Sequence, residues 1–459
     1  MSKFTTHALA VCSIAAVSAV VYLPAVDNSF ISDDFGIFPI LKALEQNPSY
    51  IFDATSELFR VMSYIYFWIC FTLFGLTPEL YYWAGIGLHA LVSTLVYFLV
   101  LRVSGRLLAA WPAGLFFAAY ERHQEAVMWI SAANEIILAV WCLVFLLLWE
   151  RAVSRDDRSR IHAAAAFVVL ALALFSKEAA VVLAPMATLG LVLQGYRARD
   201  ILEKSIPVYA MLAAFVVLWL SQADRNFFLT DGHYALGLHV FPVYGRALLR
   251  LVSPLVPFVA ALLVLRHRKT EQPWNSSFLF FGALLALAIV PYSFLTYQDH
   301  LPSRHTYLPS IGLAGLVGIL FAAVHDRLSS NPAKQACAAF LLALVIGNGA
   351  YIWLKKEPQY RERAAPTREL IKILNEIDAR DARRLPVYVC GFPLQSAWWF
   401  GYTVSTFTSL APNDVVLSND CVYPEDSVVL IWDPNAAQYA AHSGEDPGEP
   451  GAATAAKRN

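Results

Sequence analysis

The chain has 459 residues, of which 58% are hydrophobic and 15% charged, with a net charge of -1. A soluble domain carries about 45–50% apolar and about 25% charged residues, so this composition excludes an ordinary soluble globule. Near-neutrality also removes the basic excess on which nucleic-acid binding depends, so no nucleic-acid partner is expected.

In chain order, apolar runs of membrane-crossing character fall near 8–26, 80–101, 105–120, 130–149, 161–176, 179–194, 203–221, 243–265, 276–296, 306–324 and 335–354. A hydrocarbon core needs roughly 17–25 helical residues, and each run meets or approaches that length. The expectation is an all-α polytopic membrane protein of about eleven helices. The first run is long, lacks a clear small-residue cleavage site and precedes many further spans, so it reads as an uncleaved helix rather than a secretory signal. Val61–Leu76 is apolar but short and flanked by Arg60, which suits an interfacial helix.

Basic residues set the orientation. Arg102 and Arg106, Arg151 to Arg160, Arg197 to Lys204, Arg266 to Lys269, and Arg327 with Lys334 occupy alternate loops. All of these loops can face the cytoplasm if the amino terminus is inside and the carboxyl terminus outside. This parity requires 161–194 to be two short helices. A single helix would bury Lys177 and Glu178 at mid-membrane, at a cost of about 2.5 kcal/mol or more each. The outer segments then carry most of the acidic, histidine and isolated basic residues.

Beyond Trp353, the "TRELIKILNEI" stretch has helical period, and "PVYVCG", "VVLSN" and "SVVLIW" read as short strands. The expected organisation is a transmembrane domain over 1–354, a small extracytoplasmic α/β appendage over 355–433 and a disordered tail over 434–459. Cys390 and Cys421 share the appendage, where an oxidising compartment permits a disulfide without requiring one.

Chemistry is sought in the outer segments. Asp33 and Asp34 follow the first span. A helix N-cap explains one aspartate, since a cap needs a single acceptor. The second suits a general base, because neighbouring carboxylates raise one another's pKa. His123 and Glu125 leave a divalent metal open, but two ligands without a third are a weak signal. Glu135 enters an apolar helix, and an intramembrane carboxylate is a functional candidate. Lys177 beside Glu178 is either an ion pair or a lysine aimed at an anion. His300, Arg304, His305 and Tyr307 open a span on the outer side, where an arginine suits a phosphate clamp. His233 lies in the largest outer loop between later spans, a candidate acceptor or lid loop.

Several of these pieces stand in an order that resembles the GT-C superfamily of membrane glycosyltransferases. The likeness is nearest to protein O-mannosyltransferases and to the membrane part of transmembrane O-mannosyltransferases that carry tetratricopeptide repeats. It rests on the Asp33-Asp34 pair, Arg60-Val61-Met62-Ser63, "FGLTPELYYWAGIGLH" ending at His89, the stretch from His123 to Glu135, Ser176-Lys177-Glu178, and the stretch from Arg304 to Gly312. Ala132-Ala133 stand where the family pattern has Gly-Arg, and no tetratricopeptide repeats follow. The resemblance spans roughly residues 8–320. It implies a GT-C fold and a polyprenyl-phosphate sugar donor, with a glycan, lipid or protein acceptor. It further implies Asp33 as catalytic acid/base with Asp34 in support, Lys177 and Arg304 near the lipid phosphate, and inversion at the anomeric carbon in one displacement. The expected location is a bacterial inner membrane. A lipid-linked glycan polymerase or ligase, or a flippase-type transporter, is the alternative; candidate residues on one side only favour an enzyme.

Overall fold

The computed structural model of the chain describes residues 2–54, 60–153, 159–267, 275–296, 301–380, 385–393, 397–411 and 413–443. The apolar runs are helical because a segment in hydrocarbon must satisfy its backbone N–H and C=O groups internally. The helices used below are α1 (Lys3–Tyr22), α2 (Asp34–Gln46), α3 (Val61–Phe74), α4 (Pro78–Ser104), α5 (Leu107–Ala119), α6 (Asn134–Ala152) and α7 (Ser159–Leu174). They continue with α8 (Leu183–Leu193), α9 (Ala198–Leu220), α10 (Val240–Val252), α11 (Val256–Val264), α12 (Asn275–Ser293), α13 (Pro309–Arg327) and α14 (Asn331–Tyr351).

Among the described residues, eight helical runs are long and apolar enough to cross a membrane: Phe4–Asp27, Pro78–Ser104, Ile130–Ala152, Ala198–Leu220, Val240–Val264, Asn275–Ser293, Pro309–Arg327 and Asn331–Asp378. The spans expected at 105–120, 161–176 and 179–194 fall on shorter apolar helices, and so does the run read as interfacial. The protein is a multi-pass integral membrane protein, helical within the bilayer.

Helix α13 is the axis of the bundle, with every residue from Pro309 to Val324 buried. It packs against α5 and α12. Close approach depends on glycine at two points. A Cβ on Gly312 would collide with the backbone of Phe281 and Leu285 in α12, and one on Gly318 with the Ala109 carbonyl in α5. Small residues at such positions let helix backbones meet where hydrophobicity alone gives no driving force. At one end of the bundle Arg102 pairs with Glu150 at 2.7 Å, and Arg106 pairs with Asp326. Glu135, at the start of α6, and Arg304 to Tyr307, just before α13, lie at the opposite ends of these helices.

Helix α14 runs through a π-helical turn, Ile352–Lys356, into α15 (Glu357–Arg380). The boundary expected at 354/355 therefore lies inside one continuous helical run. Four strands follow: β1 (Val387–Cys390), β2 (Val415–Ser418), β3 (Val428–Asp433) and β4 (Gln438–Ser443), in the order β2-β1-β3-β4. β1 lies parallel to β2 and β3, and β4 is antiparallel to β3. Helix α16 (Ala397–Phe407) makes the crossover between β1 and β2. Leu370 and Leu374 of α15, Phe400 and Val404 of α16, and Val387, Val389 and Leu430 of the sheet form a separate small core. β4 corrects the expectation of disorder from 434 onward. Its sequence has little strand propensity of its own, and pairing with the edge of β3 supplies the structure. The Cys390 and Cys421 thiols are free.

Candidate active site

The short helical turn Leu23–Asp27 ends α1 and delivers the chain to Phe30–Phe35. Ser32 is in the left-handed region at φ 47°, a conformation a non-glycine residue holds only when its surroundings fix it. The fixing group is the Asp34 carboxylate. One oxygen accepts the Ile31 backbone N–H at 2.8 Å, and the other accepts the Ser131 backbone N–H at 2.7 Å. Asp34 is 1% exposed. Burial pushes its pKa up to about 7, the two backbone bonds pull it down, and the neighbouring Asp33 charge adds to the rise. Asp33 occupies the N-cap position of α2 but makes no side-chain capping bond. Its carboxylate opens into a cavity. The enclosing protein raises its pKa above the ordinary aspartate value, and the Arg304 charge partly offsets that rise.

The cavity has a volume of about 510 Å³. Its wall brings Asp33 together with Arg60, Lys177, Arg304, His305 and His233, and with Tyr64, Trp129 and Asn134. Each of the three cations is backed by a carboxylate that does not line the cavity. Arg60 meets Glu178 at 3.3 Å. Arg304 meets Glu125 at 3.6 Å, and the same Glu125 oxygen accepts the Arg304 backbone N–H at 3.0 Å. Lys177 donates to Glu135. The glutamates hold the cations in place, so their positive groups form part of the wall while the negative groups stand behind.

Glu135 is fully buried and takes two further donors, His305 Nδ1 at 2.8 Å and the Tyr292 hydroxyl at 2.7 Å. The His305 ring stacks on Tyr292 with centroids 4.8 Å apart. Burial, reinforced by the Lys177 charge, pushes His305 down to about 3, so it donates to Glu135 as a neutral ring. The Arg304 guanidinium lies 5.0 Å from the centre of the Trp129 ring, whose Nε1 donates to the Ile31 carbonyl at 3.3 Å. Arg304 is thereby connected through Trp129 to the loop that carries Asp33.

The other expected residues lie elsewhere. Tyr307 does not reach the cavity. It is fully buried, with its hydroxyl 2.7 Å from His89 Nδ1, while His89 Nε2 donates to the Ala118 carbonyl at 3.1 Å. His123 is buried beside them, with Nε2 2.6 Å from Ser310 Oγ. Its burial lowers its pKa well below the ordinary histidine value. These three are core packing residues: rings in the apolar interior find hydrogen-bond partners there. His123 bonds to Ser310 and Glu125 to Arg304, and among the described residues no group of three His, Cys, Asp or Glu side chains is placed to hold a metal ion. His300 lies outside the described residues. Tyr292 carries no mark in the sequence, because a tyrosine in an apolar run has the look of lipid-facing filler. Its only signal is its place near the C-terminal end of its span, after Pro291.

No protein-family model matches the sequence, and no curated protein matches it. Solved structures do match the fold. The crystal structure of ArnT from Cupriavidus metallidurans bound to undecaprenyl phosphate is similar at a TM-score of 0.53 and 14% identity, over 93% of each chain. The archaeal oligosaccharyltransferase AglB from Archaeoglobus fulgidus, in complex with an inhibitory peptide and a dolichol-phosphate, gives 0.48 and 13%, over 91% of this chain and 65% of that one. The ArnT likeness extends through both the helical bundle and the appendage, and the fold is the GT-C fold implied by the motif order.

Proposed function

We propose that the chain is a glycosyltransferase that moves a sugar from a polyprenyl-phosphate-linked donor to an acceptor hydroxyl at the extracytoplasmic face of the membrane. One observation carries this reading: Asp33 and the three cations Arg60, Lys177 and Arg304 line a single cavity. The similar fold of ArnT, solved with undecaprenyl phosphate bound, supports it.

In this mechanism the three cations receive the donor phosphate, and Trp129 and Tyr64 offer aromatic faces to the sugar. The acceptor hydroxyl transfers its proton to the Asp33 carboxylate as its oxygen attacks the anomeric carbon from the face opposite the phosphate. The bond from that carbon to the phosphate oxygen breaks, and its electron pair leaves with the polyprenyl phosphate. The configuration inverts. A base with a raised pKa suits proton transfer near neutral pH. Fixed cations stabilise the charge that gathers on the departing phosphate, and they need no reorganisation because Glu125, Glu135 and Glu178 already hold them.

The orientation that fits places the amino terminus in the cytoplasm and the appendage outside a bacterial inner membrane. Purified protein supplied with a polyprenyl-phosphate mannose, the donor the motif resemblance favours, and a mixture of peptide, glycan and lipid acceptors tests the reading. Transfer that inverts the anomeric centre and fails in Asp33→Asn is expected. Equal transfer by Asp33→Asn removes the assignment of the base.

A further inference from the structure

The loop that carries Asp33 is held from outside the membrane bundle. Phe30 and Phe35 flank Asp33 and Asp34, and Phe38 follows one turn later. All three rings pack around Phe407, the last residue of α16, at centroid distances of 5.4, 5.4 and 5.3 Å. Helix α16 is rooted in the appendage core through Phe400 and Val404, yet Phe407 joins the core of the membrane bundle. Helix α15 fixes both partners. Its Asn375 Nδ2 donates to the Phe407 carbonyl at 3.3 Å, and its Thr367 Oγ1, 3.2 Å from the Ala364 carbonyl of its own helix, also lies 3.5 Å from the Phe30 carbonyl. Ser409, just past α16, bonds to Asp378 of α15.

We infer that Phe407 is a positioning residue for the Asp33 loop, and that the appendage is part of the active-site scaffold rather than a separate module. The backbone at Ser32 occupies a conformation that needs support from several sides. The membrane bundle supplies one support through Ser131 and Asp34. The appendage supplies the other by inserting Phe407 between the aromatic residues on both sides of the loop. Aromatic rings at such distances prefer edge-to-face arrangements, which fix orientation as well as separation. The rings of Phe30 and Phe35 are thereby set, and with them the direction in which Asp33 points.

The inference rests on Asp33 as the base, and two readouts keep the two claims apart. The first is amide hydrogen exchange of the full-length protein in detergent. Phe407→Ala is expected to speed exchange across residues 30–38 by at least about tenfold, while exchange in α5 and α13 is unchanged. No change across 30–38 overturns the inference, whatever the reaction proves to be. The second is turnover. Phe407→Ala is expected to lower kcat by about tenfold or more with the stoichiometry and affinity of undecaprenyl phosphate binding within twofold of wild type, because Arg60, Lys177 and Arg304 are held by other elements. Phe407→Tyr is expected to restore kcat to within about threefold. A fall in kcat that only tracks lost binding stoichiometry marks general unfolding and also overturns it. Should Phe407→Ala not be recoverable in folded form, Phe407→Leu, which keeps bulk but not ring geometry, carries the same two measurements.

Discussion

The Asp34 carboxylate and the Ser131 backbone N–H meet at 2.7 Å, although the residues are 97 positions apart. Asp34 also holds Ile31, so a single side chain ties the loop after α1 to the loop that carries Ser131 and Trp129. Asp34→Ala strips two buried N–H groups of their acceptor. Each such loss costs about 1–3 kcal/mol, so the variant should unfold at lower temperature by an amount corresponding to roughly 2–6 kcal/mol. Thermal unfolding in detergent checks this, and Asp34→Asn, which keeps one acceptor oxygen, should fall in between.

Asp33→Asn should behave in the opposite way. The side chain makes no capping bond and opens into the cavity. The variant should keep its thermal stability and its lipid-phosphate affinity while turnover falls by about 10²–10⁴, the range that general base catalysis supplies. In the wild type the acid limb of the kcat profile should lie above the ordinary aspartate range, because the Asp33 pKa is raised.

Stability should carry its own pH signature. The folded-state pKa of Asp34 is raised to about 7 from an ordinary value of 3.8. Between these values the folded protein holds a proton that the unfolded chain has lost, so stability declines as pH rises through this window and levels off above about 7. The Asp34 contribution to the slope approaches about 1.4 kcal/mol per pH unit at its steepest. Unfolding in detergent across pH 4 to 8 should show the decline in the wild type. Asp34→Asn, which cannot titrate, should be flatter; parallel curves would mean that Asp34 stays charged throughout.

Arg304 tests the phosphate clamp. Arg304→Ala should weaken undecaprenyl phosphate binding by about tenfold or more and change the acceptor KM little. The reverse pattern would place the acceptor at Arg304. Because the guanidinium also covers Trp129, Arg304→Lys should recover only part of the affinity: a lysine keeps the charge but not the planar, stacking group.

The helices are legible in the sequence because hydrocarbon imposes their length and composition on it. The cavity is legible only in part. Asp33, Lys177 and Arg304 stand out as isolated polar residues at the ends of apolar runs, and they meet in one wall. Asp34 has the look of a partner or a cap, and its bond to Ser131 has no local signature because it spans two distant loops. His89, His123 and Tyr307 have the residue types of a site, yet His89 and Tyr307 bond to each other, His89 also to the Ala118 carbonyl, and His123 to the Ser310 hydroxyl in the core; residue type alone does not separate the two uses. The segment between β1 and β2 shows no clear period, although Trp, Phe, Tyr and Thr there form α16. Its tertiary partners, the sheet on one hand and α2 on the other, override weak helix propensity.

Lys177 and Glu135 form the most deeply buried ion pair among the described residues, with side chains 2% and 0% exposed. Removing one partner from such a pair strands a charge and costs about 3–5 kcal/mol, whereas removing both is far less severe. Lys177→Met should therefore be strongly destabilised, and the double variant Lys177→Met with Glu135→Gln should recover much of the loss. In the double variant the amide that replaces the Glu135 carboxylate keeps one acceptor oxygen for the His305 Nδ1–H, and its NH2 can donate to the Tyr292 hydroxyl oxygen. Both proteins should nevertheless bind undecaprenyl phosphate weakly, since the cation facing the cavity is gone from each. Recovery of stability without recovery of binding separates the two roles of Lys177: Glu135 orients it, and its charge serves the phosphate. Recovery of both would reduce the pair to a structural one and leave Arg60 and Arg304 as the phosphate's partners.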